Sequence, residues 1–331
     1  MSHFEVIKKE LTKTSYTWLV TGVAGFIGSH LLEFLLAHNQ KVIGIDNFAT
    51  GNQANIQPFL GSPLFKFYES DIRDAHACAE VMPGVDFVLH QAALGSVPRS
   101  IKDPMATHDV NVTGFLNMLI AAKDAGVKRF VYASSSSVYG DSPILPKVEI
   151  HQGNPLSPYA VSKMTNELYA KAFSNCYDIE TIGLRYFNVF GARQDPNGQY
   201  AAVIPLWVKA LLQKEPVYIN GDGETSRDFC YVKNVVQANI LAATTQNKEA
   251  VNTAYNVAVG DQTSLNQLYL ALTERLKIKG AGPIYRDFRA GDVRHSLASI
   301  EKAQNLLGYK PTHKIDAGLD EAIKWYQNHV V

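Results

Sequence analysis

Trp18-Leu19-Val20-Thr21-Gly22-Val23-Ala24-Gly25-Phe26-Ile27-Gly28-Ser29 carries the strongest structural signal in the chain. An apolar run of strand character enters a loop with glycines at 22, 25 and 28, and a helix is expected to begin near Ser29. Glycines at these offsets allow a tight turn, close backbone approach to a pyrophosphate and close helix–strand packing. The helix N-terminus then presents unpaired N–H groups to an anion. The second apolar run, Val42-Ile43-Gly44-Ile45, ends in Asp46, placed to bond both ribose hydroxyls of an adenosine. A carboxylate there repels a 2′-phosphate, and no arginine follows within residues 47–52, which favours NAD over NADP. Asp71, just past the third run, either approaches the adenine or is a solvated turn residue.

Outward from this unit, Thr17–Thr21, Lys41–Ile45, Phe65–Tyr68, Phe87–His90, Phe130–Ala133 and Thr181–Leu184 read as buried strands. Ser29–Ala37, Asn111–Ala125 and Tyr159–Phe173 carry helical periodicity between them. Such alternation predicts an α/β fold, a Rossmann-type doubly wound parallel sheet covered on both faces. Beyond Arg185 the pattern loosens into a smaller mixed α/β C-terminal substrate domain. Pro216–Asn220 reads as a short strand, and Ala254–Val257 as a strand returning to the main sheet. The expected division is an NAD-binding domain over 1–186, with a returning segment near 229–258, and a substrate domain mainly over 187–331. Phe4, Ile7 and Leu11 recur at helical spacing, so residues 1–15 predict a helix packed on the outside.

Composition narrows the function. Net charge is zero, so nothing favours nucleic acid or an anionic membrane as partner. The three scattered cysteines suit a reducing cytosol, the charged first ten residues lack the apolar core of a signal peptide, and no stretch approaches a membrane span. A cytoplasmic protein is expected. The ten histidines form no pair at metal-ligand spacing, so no metal is expected.

Tyr159 and Lys163 lie four residues apart, on one helix face. With sixteen tyrosines, about one tyrosine–lysine match at this spacing is expected by chance, so the pair carries weight through its company. Ser134-Ser135-Ser136-Ser137 directly follows a strand, which puts hydroxyls at the carboxyl edge of the sheet where ligands bind. A phenol with an ordinary pKa near 10 is a poor base at pH 7, and each unit of lowering requires about 1.36 kcal/mol. A fixed ammonium and a positively charged nicotinamide favour the phenolate. A serine hydroxyl beside the substrate oxygen can orient it and relay the proton.

The glycine loop, the serine run and the tyrosine–lysine pair together resemble the extended short-chain dehydrogenase/reductases, enzymes that modify nucleotide sugars. His90-Gln91-Ala92-Ala93, Asn111 and Arg185-Tyr186-Phe187-Asn188-Val189-Phe190-Gly191 extend the resemblance along nearly the whole chain. It is most similar to the UDP-hexose 4-epimerases. Leu94–Ser100, Gly291–Ser296 and the N-terminal extension resemble bacterial UDP-N-acetylglucosamine 4-epimerases that supply surface polysaccharides. The resemblance implies tightly bound NAD+, a UDP-sugar substrate and a homodimer built on the helices carrying Tyr159 and Asn111–Ala125. Phe115, Met118, Leu119, Leu168 and Phe173 fit that interface or an ordinary core face equally.

By the same resemblance the catalytic residues are Ser135, Tyr159 and Lys163. The cofactor is held by Gly22, Gly25, Phe26, Ile27, Gly28, Asp46, Asn47, Asp71, Ile72, Gln91, Ala92, Ala93, Asn111, Tyr159, Lys163 and Tyr186. Trp207, Tyr218 and Asn220 match the base cradle, Arg227 and Arg289 the diphosphate grip, Asp292 a ribose acid, and Asn188 a phosphate or sugar contact. Ser96, Ser136 and Val203 complete the substrate set. Related dehydratases carry an Asp-Glu pair where this chain has Ser136 and Ser137, so elimination lacks its acid. Strict UDP-glucose epimerases carry a tyrosine at the position of Ser296. The serine there, with Ala202, leaves room for an N-acetyl group at C2; the alternative is that Ser296 caps a turn. Three further readings remain: a UDP-glucose/UDP-galactose 4-epimerase, another nucleotide-sugar reductase or epimerase, and a non-catalytic NAD-sensing regulator.

Overall fold

The structure, a computed structural model, describes residues 2–198, 201–278, 282–288 and 293–329. Its centre is a seven-stranded, all-parallel sheet: β1 (Thr17–Thr21), β2 (Lys41–Asp46), β3 (Phe65–Glu69), β4 (Phe87–His90), β5 (Arg129–Ser135), β6 (Thr181–Tyr186) and β7 (Thr253–Val257). The spatial order is β7-β6-β5-β4-β1-β2-β3. The winding reverses beside β1, which pairs with both β2 and β4, and this opens a crevice at the carboxyl edge.

Continuous apolar strands are required because both faces are buried. Side chains alternate: Trp18 and Val20 enter a core with the helices Phe26–Ala37 and Val232–Thr244, while Leu19 enters the opposite core with Phe115, Phe130 and Tyr132. Phe115, Met118 and Leu119 are fully buried in that second core, so they face the sheet. Leu168, on the helix Pro158–Tyr177, is 66% exposed instead. The predicted outer helix forms over His3–Leu11, with Ile7 and Leu11 buried and Phe4 stacked on Phe34 at 5.7 Å between ring centroids.

Most element boundaries shift by one to four residues from the sequence reading, and three of the differences shape the crevice. The first crossover helix begins at Phe26 rather than Ser29, because Gly25 already acts as its N-cap and its carbonyl accepts the Ser29 N–H at 3.0 Å. β5 continues through Ser134 and Ser135, whose backbones stay in register with Arg185 and Tyr186 of β6. The helix expected over Asn111–Ala125 is divided into a π-helical turn, Asp109–Gly114, and an α-helix, Phe115–Asp124.

The C-terminal part has its own core, where the helices Val203–Leu212, Leu265–Leu276 and Ile315–His329 pack on Phe190, Ile219 and Tyr231. Beside it the short strands Tyr218–Asn220 and Ile284–Arg286 pair in parallel. Among the described residues no helix is long and apolar enough to cross a membrane, and no group of three His, Cys, Asp or Glu is placed to hold a metal.

Candidate active site

The glycine loop is closed by contacts that a side chain would obstruct. Gly22 has φ +66°, and a Cβ there would lie 2.9 Å from the backbone of Ala92. A Cβ on Gly28 would lie 2.1 Å from the Gly22 carbonyl oxygen. Absent side chains therefore let the helix N-terminus approach the crevice, a cradle that fits a dinucleotide pyrophosphate. Phe26 and Ile27 form the first turn of that helix.

At the tip of β2, Asp46 accepts the Ala24 N–H at 2.9 Å and the Phe48 N–H at 2.8 Å. Burial raises its pKa, and these backbone bonds oppose the rise. Gly51 passes so close that a Cβ would sit 2.9 Å from an Asp46 oxygen. Asp71 is held by Arg73 in a bidentate pair at 2.7 and 3.0 Å and also accepts from Asn47 at 2.7 Å. The Arg73 bond, ahead of the others, lowers its carboxyl to about 2. Arg73 lies beyond the window read for a 2′-phosphate partner, and its guanidinium is paired with Asp71. Ile72 is buried against Gly114.

The crevice floor is a polar lattice. Thr21 Oγ1 accepts the N–H groups of Gln91 and Ala92, each at 3.1 Å, and lies 3.0 Å from His90 Nδ1. Gln91 donates to Asn239 at 3.0 Å and accepts the Tyr186 hydroxyl at 3.0 Å; Asn239 donates to that hydroxyl at 2.9 Å. The polar atoms of Gln91 and Tyr186 thus meet one another, and the two residues reach the crevice as parts of this triangle. Asn111 accepts the Leu94 N–H at 2.8 Å and donates to Ser162 at 3.1 Å, tying the loop that follows Ala92 and Ala93 to the helix Pro158–Tyr177. Sequence reading missed Thr21 and Asn239. A threonine ending a strand and an asparagine inside an apolar helix carry no local sign of these distant partners.

Ser157 caps the helix Pro158–Tyr177 by accepting the Ala160 N–H at 3.1 Å, with Pro158 in the first turn. Tyr159 is thereby fixed at the helix start. Lys163, one turn on and buried, donates to the Ala133 carbonyl at 2.8 Å, with its ammonium 6.0 Å from the Tyr159 ring centre. Ser135, ending β5, stands beside the Tyr159 phenol, where its hydroxyl favours the ionised form. Its oxygen also accepts the Ser137 N–H at 3.1 Å, which leaves its proton free to point at the phenol or a substrate oxygen. Ser136 opens the adjoining 3₁₀ turn, Ser136–Tyr139. Burial raises the Tyr159 phenol and the Ser135 hydroxyl opposes the rise; burial lowers Lys163 to about 8. Ser96 caps the neighbouring helix Val97–Lys102.

A cavity of about 330 Å³ opens in the C-terminal part. Its walls bring together Asn188, Ala202, Val203, Trp207, Tyr218, Asn220 and Arg227, all singled out from sequence. Trp207 is mostly buried, edge-on to Tyr269, whereas Tyr218 is more open and has the Arg286 guanidinium 3.3 Å from its ring centre. The Ser296 N–H bonds the Ser226 carbonyl at 3.1 Å, beside Arg227. Arg289 and Asp292 lie outside the described residues.

Residues 18–258 match the NAD dependent epimerase/dehydratase family. The chain is 38% identical over 313 residues to a putative UDP-glucose 4-epimerase of Methanocaldococcus jannaschii, covering 94% of this chain and 98% of that one. Two solved structures superpose on nearly all of it. UDP-glucose 4-epimerase of Thermotoga maritima with UDP-glucose does so at TM-score 0.89 and 34% identity, over 95% of this chain and 100% of that one. UDP-N-acetylglucosamine 4-epimerase of Methanobrevibacter ruminantium in complex with UDP-N-acetylmuramic acid does so at TM-score 0.90 and 38% identity, over 95% and 99%. With a glycine cradle at the switch point and a phenol, an ammonium and a hydroxyl at one sheet edge, the chain belongs to the NAD-dependent epimerase/dehydratase family, in its UDP-sugar 4-epimerase branch.

Proposed function

We propose that this UDP-sugar 4-epimerase works on UDP-N-acetylglucosamine and UDP-N-acetylgalactosamine, as an isomerase supplying precursors of surface polysaccharide. The observation that carries the reading is a small residue, Ser296, whose backbone bonds Ser226 next to Arg227, at the position that by resemblance matches a tyrosine of strict glucose epimerases. A serine there leaves space at the sugar C2. Likeness to a UDP-N-acetylglucosamine 4-epimerase supports it. A UDP-glucose/UDP-galactose preference is the second reading, supported by the likeness to enzymes of that name.

Tyr159, as phenolate, takes the proton from the sugar 4-hydroxyl, which Ser135 orients. Lys163 holds its positive charge beside the phenol and the nicotinamide ribose. NAD+, which the Gly22–Gly28 cradle and Asp46 would hold, would supply a reversible hydride acceptor at C4, so that no net redox change would result. Arg227, with Arg289, holds the diphosphate while the 4-keto sugar turns its other face, which keeps binding energy away from the reacting carbon. Tyr159 then returns the proton. Ser136 and Ser137, in place of an acid pair, leave the intermediate without a route to elimination. In this reading residues 1–186, with the returning 229–258, hold the cofactor, and residues 187–331 mainly hold the UDP-sugar. Two copies pair through the helices Phe115–Asp124 and Pro158–Tyr177.

Turnover of UDP-glucose, UDP-galactose and their two N-acetyl counterparts, measured in parallel, tests the substrate assignment. Ser296→Tyr is expected to suppress the acetamido sugars and spare UDP-glucose. Epimerisation of UDP-N-acetylglucosamine by this variant at the parental rate would overturn the assignment. Stoichiometric release of NADH would instead mark a dehydrogenase.

A further inference from the structure

A buried polar chain lies behind the edge that carries Ser135, and no step of the reaction calls on it. Glu167 sits one turn beyond Lys163 and two beyond Tyr159 on the same helix. One of its oxygens accepts the Ser134 hydroxyl at 2.5 Å and Arg185 Nε at 2.9 Å. The other accepts Arg185 Nη2 at 2.7 Å and Gln152 at 3.0 Å. Arg185 also donates to the Tyr139 hydroxyl at 3.0 Å, and Tyr139, which closes the 3₁₀ turn capped by Ser135, donates to Asn256 of β7 at 2.6 Å. One network thus joins β5, β6, β7, the turn after Ser135 and the helix bearing Tyr159 and Lys163.

We infer that Glu167 is a positioning residue: through the Ser134 hydroxyl it holds the end of β5 in register with the Tyr159 helix, so that Ser135 meets the phenol. The inference rests on the mechanism proposed above. Neighbouring strand residues point to opposite faces, so Ser134 reaches the helix carboxylate while Ser135 reaches the crevice. Their shared backbone means that any displacement of Ser134 displaces Ser135. Packing alone does not require this arrangement, because a buried ion pair is often no more stabilising than apolar residues of the same volume. What the pair with its hydroxyl adds is a directional tie between two elements that must meet within a hydrogen-bond length, where an error of about 1 Å costs on the order of a hundredfold in rate.

Ser134→Ala separates positioning from stability, since Glu167 keeps both bonds to Arg185 and no buried charge loses its partner. The NAD-loaded full chain is assayed for kcat and KM on the four UDP-sugars, melted, and titrated by phenolate absorbance, with Tyr159→Phe as the difference blank. The expected result is a kcat lowered about tenfold with KM within about twofold. The melting temperature is expected to stay near parental, and Tyr159 to ionise at higher pH because Ser135 no longer supports the phenolate. Glu167→Gln is expected to give the same kinetic loss with some loss of stability. The inference is overturned if Ser134→Ala keeps both parental kcat and the parental Tyr159 titration, or if kcat falls only in step with melting while the titration stays in place. Absence of turnover by the parental protein on all four sugars would refute the function reading, and the titration would still decide the positioning.

Discussion

At the scale of single residues, the chemistry depends on one phenol, and burial opposes its ionisation. The chain alone therefore holds Tyr159 protonated near neutral pH; a second positive charge, that of the bound cofactor, is needed to bring the phenolate within reach. In cofactor-stripped protein the Tyr159 absorbance step should fall above that of free tyrosine, and it should move to lower pH when NAD+ is restored. Because the reaction needs the phenolate, kcat should fall as pH falls through the holoenzyme value. Tyr159→Phe should lower kcat by about a thousandfold while the protein still carries NAD+, checked by cofactor content and progress curves. The tyrosine–lysine spacing was legible because it is a local property of one helix. Asn239 was not legible, because its partners Gln91 and Tyr186 are 148 and 53 residues away in sequence.

At the scale of elements, the glycine spacing of the loop Gly22–Gly28 was legible, although its helix starts three residues earlier than the reading placed it, because steric exclusion of Cβ acts between near neighbours. Gly28→Ala would drive a methyl into the Gly22 carbonyl, and shifting the helix to relieve it would deform the pyrophosphate cradle. The expected outcome is loss of bound NAD together with a destabilisation of about 1–3 kcal/mol, read from cofactor content and denaturant midpoints. Ser157→Ala removes the cap beneath Tyr159 and should cost about 1 kcal/mol, with a fall in kcat larger than that stability loss explains. Helical periodicity across Asn111–Ala125 was read as one helix. The π turn over Asp109–Gly114 escaped it, since the turn packs Gly114 against Ile72 and places Asn111 between Leu94 and Ser162, contacts from outside the helix.

At the scale of the whole molecule, buried histidines set the response to acid. His30 is lowered to about 4 and His90 to about 3, each chiefly by burial. The unfolded chain binds these protons below its ordinary histidine pKa near 6.5, whereas the folded chain does so only near 4 and 3. Stability is therefore lost as pH falls from about 6.5, on the order of 3 kcal/mol for His30 alone. Asp228, raised to about 6, and Asp46, also raised, both mainly by burial, work in the opposite sense as pH falls through their folded values, whereas Asp71, lowered to about 2 first by its Arg73 bond, adds to the loss from the two imidazoles. Melting temperature should thus decline from about pH 6.5 downward, with a shallower decline in His30→Gln. The proposed pairing of two copies predicts that Leu168→Glu, on an exposed apolar position, yields monomers by light scattering without unfolding. The parallel α/β sheet, the cofactor loop and the tyrosine–lysine spacing were all legible before folding, since each arises from sterics and periodicity among residues close in the chain. Tertiary structure alone decided that Phe115, Met118 and Leu119 face the core. It also joined residues 188–227 around one cavity and raised the Tyr159 phenol, because burial and long-range partners exist only once the chain is packed.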